Sequence, residues 1–415
     1  MRVTEGHLRG VVFAAALAAA AAGCSSDAGP QTGAPARSTG TSAAPAGQGV
    51  EGLAVGEDEL EAFARQLVDD TGSTAAIVAL VRGDGPPVVA VTGSAPSVDG
   101  VKPEPLAVDA PLHVSSITKS HVAALAVLLD DEGAIDLDAP IDRWVDWPGG
   151  DRLSLRQLLD NSSGLGTLGE DDVGSAFTGF VIRGEPVALD EVLAATRDTP
   201  PVAAPGEGTH YSNLNYVLAG GVLEAATGED LGALLQSRLF EPLGLSDTWY
   251  PPAGPGDAVP APGLYEVEPG TEPVATSALP MVAWQTVAAP AWGIVSTVPD
   301  LLTWSSVVLR DRSIGGMDLS SLSEIGPGGY GLGVIGVTAD GDCVFDGCPA
   351  GAVFERLALN GDLPGSSTRI LYDPATDVTL VVFLNRNALA LDGPLIGFLD
   401  AALSGLAGST TTSPP

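Results

Sequence analysis

Strand-like runs lie near both ends of this chain with a long helical stretch between them, and that order limits the architectures open to it. Near the start, AAIVALVR (Ala75–Arg82) and PPVVAVTG (Pro86–Gly93) flank Gly83-Asp84-Gly85, a hairpin signal. Far downstream, GYGLGVIGV from Gly329, AVFERLALNG from Ala352, STRILYDP from Ser367 and DVTLVVFLN from Asp377 alternate with turn residues such as Ala375-Thr376. Strands are expected to dominate from Trp292 onward. Ahead of the first strands, GEDELEAFARQLVDD sets Leu60, Phe63 and Leu67 on one helix face. VAALAVLLDDEG reads as a helix with Gly133 as its stop, and LSLRQLLDNSSGL as another stopped by Gly164. The chain to about residue 240 reads as largely helical, and PLIGFLDAALSGLAG closes with a helix. An antiparallel sheet must therefore draw strands from both chain ends, with a helical subdomain inserted between them. That is an α+β fold with helices flanking the sheet.

The two termini stand apart from this pattern. Arg2 and Arg9 precede the apolar run VVFAAALAAAAA, Val11–Ala22, which is shorter than the roughly 20 residues a spanning helix needs. A basic start, a short apolar core and small residues read as an export signal. The run ends in AAGC, with Ala21 where a lipoprotein signal more often has leucine, and Cys24 is the expected lipidation site. Residues 1–23 are thus expected to be a lipoprotein signal and 24–52, rich in Ser, Gly, Ala, Pro and Thr, a flexible linker. A folded domain is expected over 53–407, with a disordered tail at 408–415. The reading is of an exported protein held by a lipid anchor on the outer side of a cell membrane, and monomeric.

Composition removes some partners. With 18 basic and 52 acidic residues the net charge is −34, which argues against nucleic acid. In an oxidising compartment Cys343 and Cys348, in CVFDGC, are expected to close a small disulfide loop. No His/Asp/Glu cluster suggests a metal, and no cofactor is expected.

The chain has almost abandoned lysine: sixteen of its basic residues are arginine, and only Lys102 and Lys119 remain. Lys119 stands in HVSSITKSHV, three residues after Ser116 at the start of a helical run. Positions i and i+3 share a helix face, so hydroxyl and amine can meet. A serine hydroxyl is a weak nucleophile until a base takes its proton. A buried lysine can be that base, whereas arginine keeps its proton. The alternative is that Ser116 simply caps the helix. Tyr211-Ser212-Asn213, ahead of another helical run, supplies possible partners. The Tyr211 hydroxyl would relay the proton to a leaving group, and Asn213 would hold Lys119 and a substrate carbonyl. Equally, Ser212 or Asn213 could serve only as a cap.

Together these motifs resemble the serine β-lactamase-related family, which includes class C β-lactamases, D-alanyl-D-alanine carboxypeptidases and esterase relatives. The likeness extends to EGAIDLDAPIDRWV, LSLRQLLDNSSGL, APGEGTHYSNLNYVLAGGVLEAATG, LFEPLGLSDTWY, GIVSTVPDLLTW and DLPGSSTRILYDPATDVTLVVFLN, in order, from about residue 58 to 405. The resemblance implies a β-lactamase/transpeptidase-like fold, Ser116, Lys119, Tyr211 and Asn213 as catalytic residues, and a small-molecule or peptidyl substrate. It also implies an oxyanion site made by the Ser116 and Asp362 backbone N–H groups.

One departure is sharp. The family's third motif, Lys-Thr-Gly or His-x-Gly on a strand edging the site, falls on Leu359-Asn360-Gly361 when Pro364-Gly365 sets the frame. Leucine replaces the cation that would hold a substrate carboxylate. Leu359, Asn360 and Gly361 are expected to line the substrate site, Gly361 allowing a substrate backbone to approach. Trp292, where many relatives have glycine, either lines the cleft or simply packs. The expected activity is an acyl-transfer hydrolase, more esterase- or carboxypeptidase-like than β-lactamase-like. A non-catalytic binder of peptidoglycan-type peptides and a true β-lactamase are the alternatives.

Overall fold

In a computed structural model the described residues are Leu53 and 55–407, with breaks at 97–102, 168–176, 178, 182, 253, 255–257, 267–271, 340–347, 350 and 389–390. Cys24, the signal, the linker, the tail and Cys343 all lie outside them.

Helix α1 (Glu57–Thr71) leads into strands β1 (Ala75–Arg82) and β2 (Val88–Gly93). The helical region holds α2 (Thr118–Asp131), α3 (Leu155–Leu159), α4 (Leu189–Thr196), α5 (Asn213–Thr227), α6 (Ala289–Trp292) and α7 (Val298–Ser305). Then come β3 (Ile335–Val337), β4 (Arg356–Leu363), β5 (Ser366–Asp373), β6 (Val378–Leu384) and α8 (Asp392–Ala407). The six strands form one sheet in the order β2-β1-β6-β5-β4-β3, every pairing antiparallel. The two chain ends meet where β1 pairs with β6, Val78 facing Val382. The expected α+β architecture is the one observed.

Both faces of the sheet are covered, which is why the neighbouring strands β1 and β6 are buried and apolar on both sides. Ala76, Val78, Leu80, Leu380, Val382 and Leu384 pack under α1 and α8, whose Phe63 and Phe398 rings stack 4.0 Å apart. The opposite parity, including Ile77, Ala79, Leu357, Leu359, Val381 and Phe383, joins the core of the helical region. Strand side chains alternate between faces, so a single residue of register decides which core each one enters.

Helix α2 is the axis of the helical region, buried from Thr118 to Leu129. Its polar side chains are matched: Ser120 accepts from Trp304 Nε1 at 2.9 Å, and His121 stacks on the Trp304 ring. Burial holds the His121 imidazole down at about 3 and His113 at about 4. Close packing of α5 depends on Gly220 and Gly221, where a Cβ would stand 2.7 Å from Pro290 and Leu193 atoms.

Two local expectations are corrected. The LSLRQLLDNSSGL helix stops at Leu159, not at Gly164, because Asn161 takes a left-handed conformation, φ 60°. The region after Trp292 also contains a further helix, α7, before the strands. Its start is set by Thr297, which accepts from the Asp300 N–H, with Pro299 in the first turn.

Candidate active site

The site forms where α2, α5, α6 and the edge of β4 converge. Ser116 sits in a tight helical turn, Ser115–Ile117, that leads directly into α2. This puts the serine at a helix start, where the first N–H groups have no partners within the helix. Lys119, one turn on, is entirely buried, and its amine lies 3.0 Å from Ser116 Oγ. Tyr211 immediately precedes Ser212, whose side chain caps α5. The Tyr211 hydroxyl donates to Ser116 Oγ at 2.9 Å. Asn213, the first residue of α5, places Oδ1 2.8 Å from the lysine amine. All four residues singled out from the sequence are therefore brought together.

The partners of Lys119 set its protonation. Besides Ser116 it touches Asn213 Oδ1 and the Ala291 carbonyl, the latter at 2.9 Å. Both are oxygen acceptors, and a neutral amine has two hydrogens to donate. With both so used, a neutral amine would turn its lone pair to Ser116 Oγ, whereas a charged one would donate there as well. Burial drives the Lys119 pKa well below the ordinary lysine range, with no acidic group offsetting it. The Tyr211 and Tyr216 rings lie 4.9 and 5.5 Å from the amine and favour its charged form. These contacts oppose the effect of burial, which is the larger influence on Lys119 and lowers its pKa. Tyr211 moves the other way: burial raises its pKa above the ordinary phenol range, and it rests as a neutral donor.

The β4 edge faces the Ser115–Ile117 turn that carries Ser116. Ser115 Oγ donates to the Asp362 carbonyl at 2.6 Å, and Asp362 lies opposite Ser367 of β5. A strand residue sends its N–H and C=O to the same side, so the Asp362 N–H also points to the Ser115–Ser116 turn. The expected oxyanion donors, Ser116 N–H and Asp362 N–H, thus stand on facing segments.

The other strand residues do not behave as expected. Leu359 is only 1 % exposed, sealed in the core of the helical region rather than open to a cleft. Asn360 has the opposite parity and lines a small cavity with Arg369, Asp392 and Leu395, between the sheet and α8. Trp292 is 9 % exposed. It donates to the Trp284 carbonyl at 2.7 Å and meets Phe177 edge-on, so packing accounts for it. Gly361 admits not a substrate but the protein itself. A Cβ there would stand 2.1 Å from the Val114 carbonyl oxygen. Gly361→Ala is therefore expected to push the nucleophile's turn off β4, costing about 1–3 kcal/mol and most of the activity. Urea unfolding and ester assays on the same preparation check both effects.

A polar layer behind the site was not foreseen. Buried Asn161 accepts from the Ser212 N–H at 3.0 Å and from Asn215 Nδ2 at 2.9 Å. Ser163 donates to Asn215 Oδ1, Ser212 donates to the Gly166 carbonyl, and Asn213 N–H reaches Thr167 Oγ1. The 161–167 loop is thereby stitched to the segment carrying Tyr211 and Asn213. Tyr330 meets the Tyr211 ring edge-on. The NSSGL run was the available signal for this layer. His121 points into the helical core, and the His210 ring stays on its own turn, 2.9 Å from the Glu207 carbonyl. Among the described residues no group of His, Cys, Asp and Glu could hold a metal, and no helix is long and apolar enough to cross a membrane.

The sheet-and-helix frame is one that known proteins share. A family model described as Beta-lactamase matches residues 60–402, and the chain belongs to that family. Esterase EstB of Burkholderia gladioli is 33% identical over 162 residues, 36% of this chain and 41% of the esterase. The D-alanyl-D-alanine-carboxypeptidase/endopeptidase AmpH of Escherichia coli is 25% identical over 203 residues, 47% of this chain and 50% of that protein. The matches thus span at most half the length of these two relatives. A D-stereospecific amidohydrolase from Streptomyces superposes with a TM-score of 0.65 at 25% identity, over 84% of this chain and 98% of the other.

Proposed function

We propose that the protein is a serine hydrolase that cleaves esters or amides through an acyl-enzyme on Ser116. The observation that carries this reading is the buried lysine amine 3.0 Å from Ser116 Oγ, with Asn213 Oδ1 and the Ala291 carbonyl as its other contacts, so that a neutral amine turns its lone pair to the serine hydroxyl. Lys119 takes the Ser116 proton as Oγ attacks the carbonyl carbon. The Ser116 and Asp362 N–H groups receive the charge on the carbonyl oxygen. Tyr211 passes the proton to the departing alcohol or amine, and the acyl group stays on Ser116. A water molecule then attacks the ester, giving its proton to Lys119, which returns a proton to Ser116 Oγ as the acid leaves.

The substrate class follows from Leu359. With an apolar, enclosed side chain in place of the family's cation, the site offers no charge there for a substrate carboxylate. This favours neutral esters, as in an esterase, over β-lactams and D-alanyl-D-alanine peptides. The same leucine is what supports the rival reading, a non-catalytic binder of peptidoglycan-type peptides. Export on a Cys24 lipid anchor, supported by the signal-like N-terminus, and the Cys343–Cys348 disulfide that an oxidising compartment would allow complete the proposal, together with a monomeric state.

Intact-mass labelling with a fluorophosphonate and with a penicillin, followed by peptide mapping, tests it. The fluorophosphonate is expected on Ser116, with turnover of p-nitrophenyl esters and little penicillin adduct. Absence of any adduct together with absence of ester turnover would sink the catalytic reading in favour of the binder.

A further inference from the structure

Ser115 is a residue out of place. It takes φ 49°, left-handed backbone that disfavours any side chain, yet it is serine and 1 % exposed. Elsewhere among the described residues seventeen positive-φ positions are glycine, and the three others, Asn161, Arg312 and Asp377, have polar or charged side chains. A side chain kept against that preference, one residue before the nucleophile, needs a reason.

Its hydroxyl supplies one. Ser115 Oγ donates to the Asp362 carbonyl at 2.6 Å, across the gap between the nucleophile's turn and β4. Asp362 is held equally firmly from the other face. Its carboxylate accepts from Ser367 Oγ and from Arg369 Nη2, the latter at 2.9 Å. Arg369 also donates to the Gly361 carbonyl and pairs with Asp392 at the start of α8 at 3.3 Å. Arg369 thus anchors the peptide between Gly361 and Asp362 on the sheet side, and Ser115 anchors the next peptide, through the Asp362 carbonyl, on the nucleophile side.

We propose, resting on the acyl-transfer reading above, that Ser115 is a positioning residue. Its hydroxyl fixes the spacing between the Ser116 and Asp362 N–H groups that hold the developing oxyanion. The two donors lie on separate chain segments with no strand pairing between them, so their separation needs a dedicated tie. Donors of this kind act only when placed to within a fraction of an ångström of the transition-state oxygen.

Two variants of the full chain test this, Ser115→Gly and Ser115→Ala. Glycine relieves the backbone strain, alanine keeps it, and both lack the hydroxyl. The probes are p-nitrophenyl butyrate for kcat and KM, and a fluorophosphonate for the rate of Ser116 modification by intact mass. In the latter, an Oγ–P bond forms, the P–F bond breaks, fluoride leaves and the serine proton passes to Lys119. Both variants are expected to lose about 10- to 100-fold in kcat and in phosphonylation rate, with KM within about twofold. The Ser115→Gly protein should melt at or above the wild-type temperature. Wild-type rates in Ser115→Gly would overturn the clamp while a mapped Ser116 adduct leaves the acyl-transfer reading standing. So would a loss confined to KM or matched by a fall in Tm. A wild-type adduct mapped elsewhere would overturn both.

Discussion

Lys119→Arg is expected to lower kcat/KM for ester hydrolysis by about 10³- to 10⁴-fold, the scale of a lost general base. Three oxygens surround the lysine nitrogen within 3.0 Å, in a space with no exposure. A guanidinium cannot fit that single point, and it cannot accept the serine proton. The pH profile carries the same argument. Only the neutral amine is active, and burial lowers its pKa. Activity should therefore be full above that lowered pKa and fall as pH drops through it, with the acid limb well below the ordinary lysine range near 10.4. Tyr211, raised by burial, stays protonated through the neutral range and adds no limb there. Steady-state kcat/KM against pH checks this. An acid limb at the ordinary lysine position, or an arginine variant with near wild-type activity, would remove Lys119 from the role of base.

The second large effect is selective. Tyr211→Phe removes the hydroxyl 2.9 Å from Ser116 Oγ while leaving the ring packed. For substrates with poor leaving groups, alkyl esters and amides, kcat should fall by roughly 10²- to 10³-fold, because the departing group needs a proton. For p-nitrophenyl esters, whose leaving group departs as an anion, the loss should be under about tenfold. Comparing p-nitrophenyl butyrate with ethyl butyrate on one preparation reads the difference. An equal loss on both would mean that Tyr211 orients the nucleophile rather than protonating the leaving group.

How far the site was legible in the chain depends on the range of the interaction. Ser116 and Lys119 are related by helical spacing, so three residues of sequence place them together. Tyr211 and Asn213 flank a helix start, a local feature with a local signal. The parity of β4 was also readable, since Leu357, Leu359, Gly361 and Leu363 alternate with Ala358, Asn360 and Asp362. That alternation excludes Asn360 from the face that Leu359 shares, and a motif-based reading passed over it. The Asn161 layer was hidden for a different reason. Its partners Ser212 and Asn215 lie 51 and 54 residues away, and asparagine at a helix end has an ordinary meaning as a cap.

The sequence alone determined the sheet built from both chain ends, the inserted helices and the four residues at the serine, because hydrophobic period and helix spacing are local properties. Only the tertiary structure decided what burial does to them. It removed Lys119 from water and so lowered its pKa, enclosed Leu359 away from any cleft, and turned Gly361 from an expected substrate contact into the seat of the Val114 carbonyl. Each of those outcomes depends on which distant segment closes over the residue, and no short stretch of chain encodes that by itself.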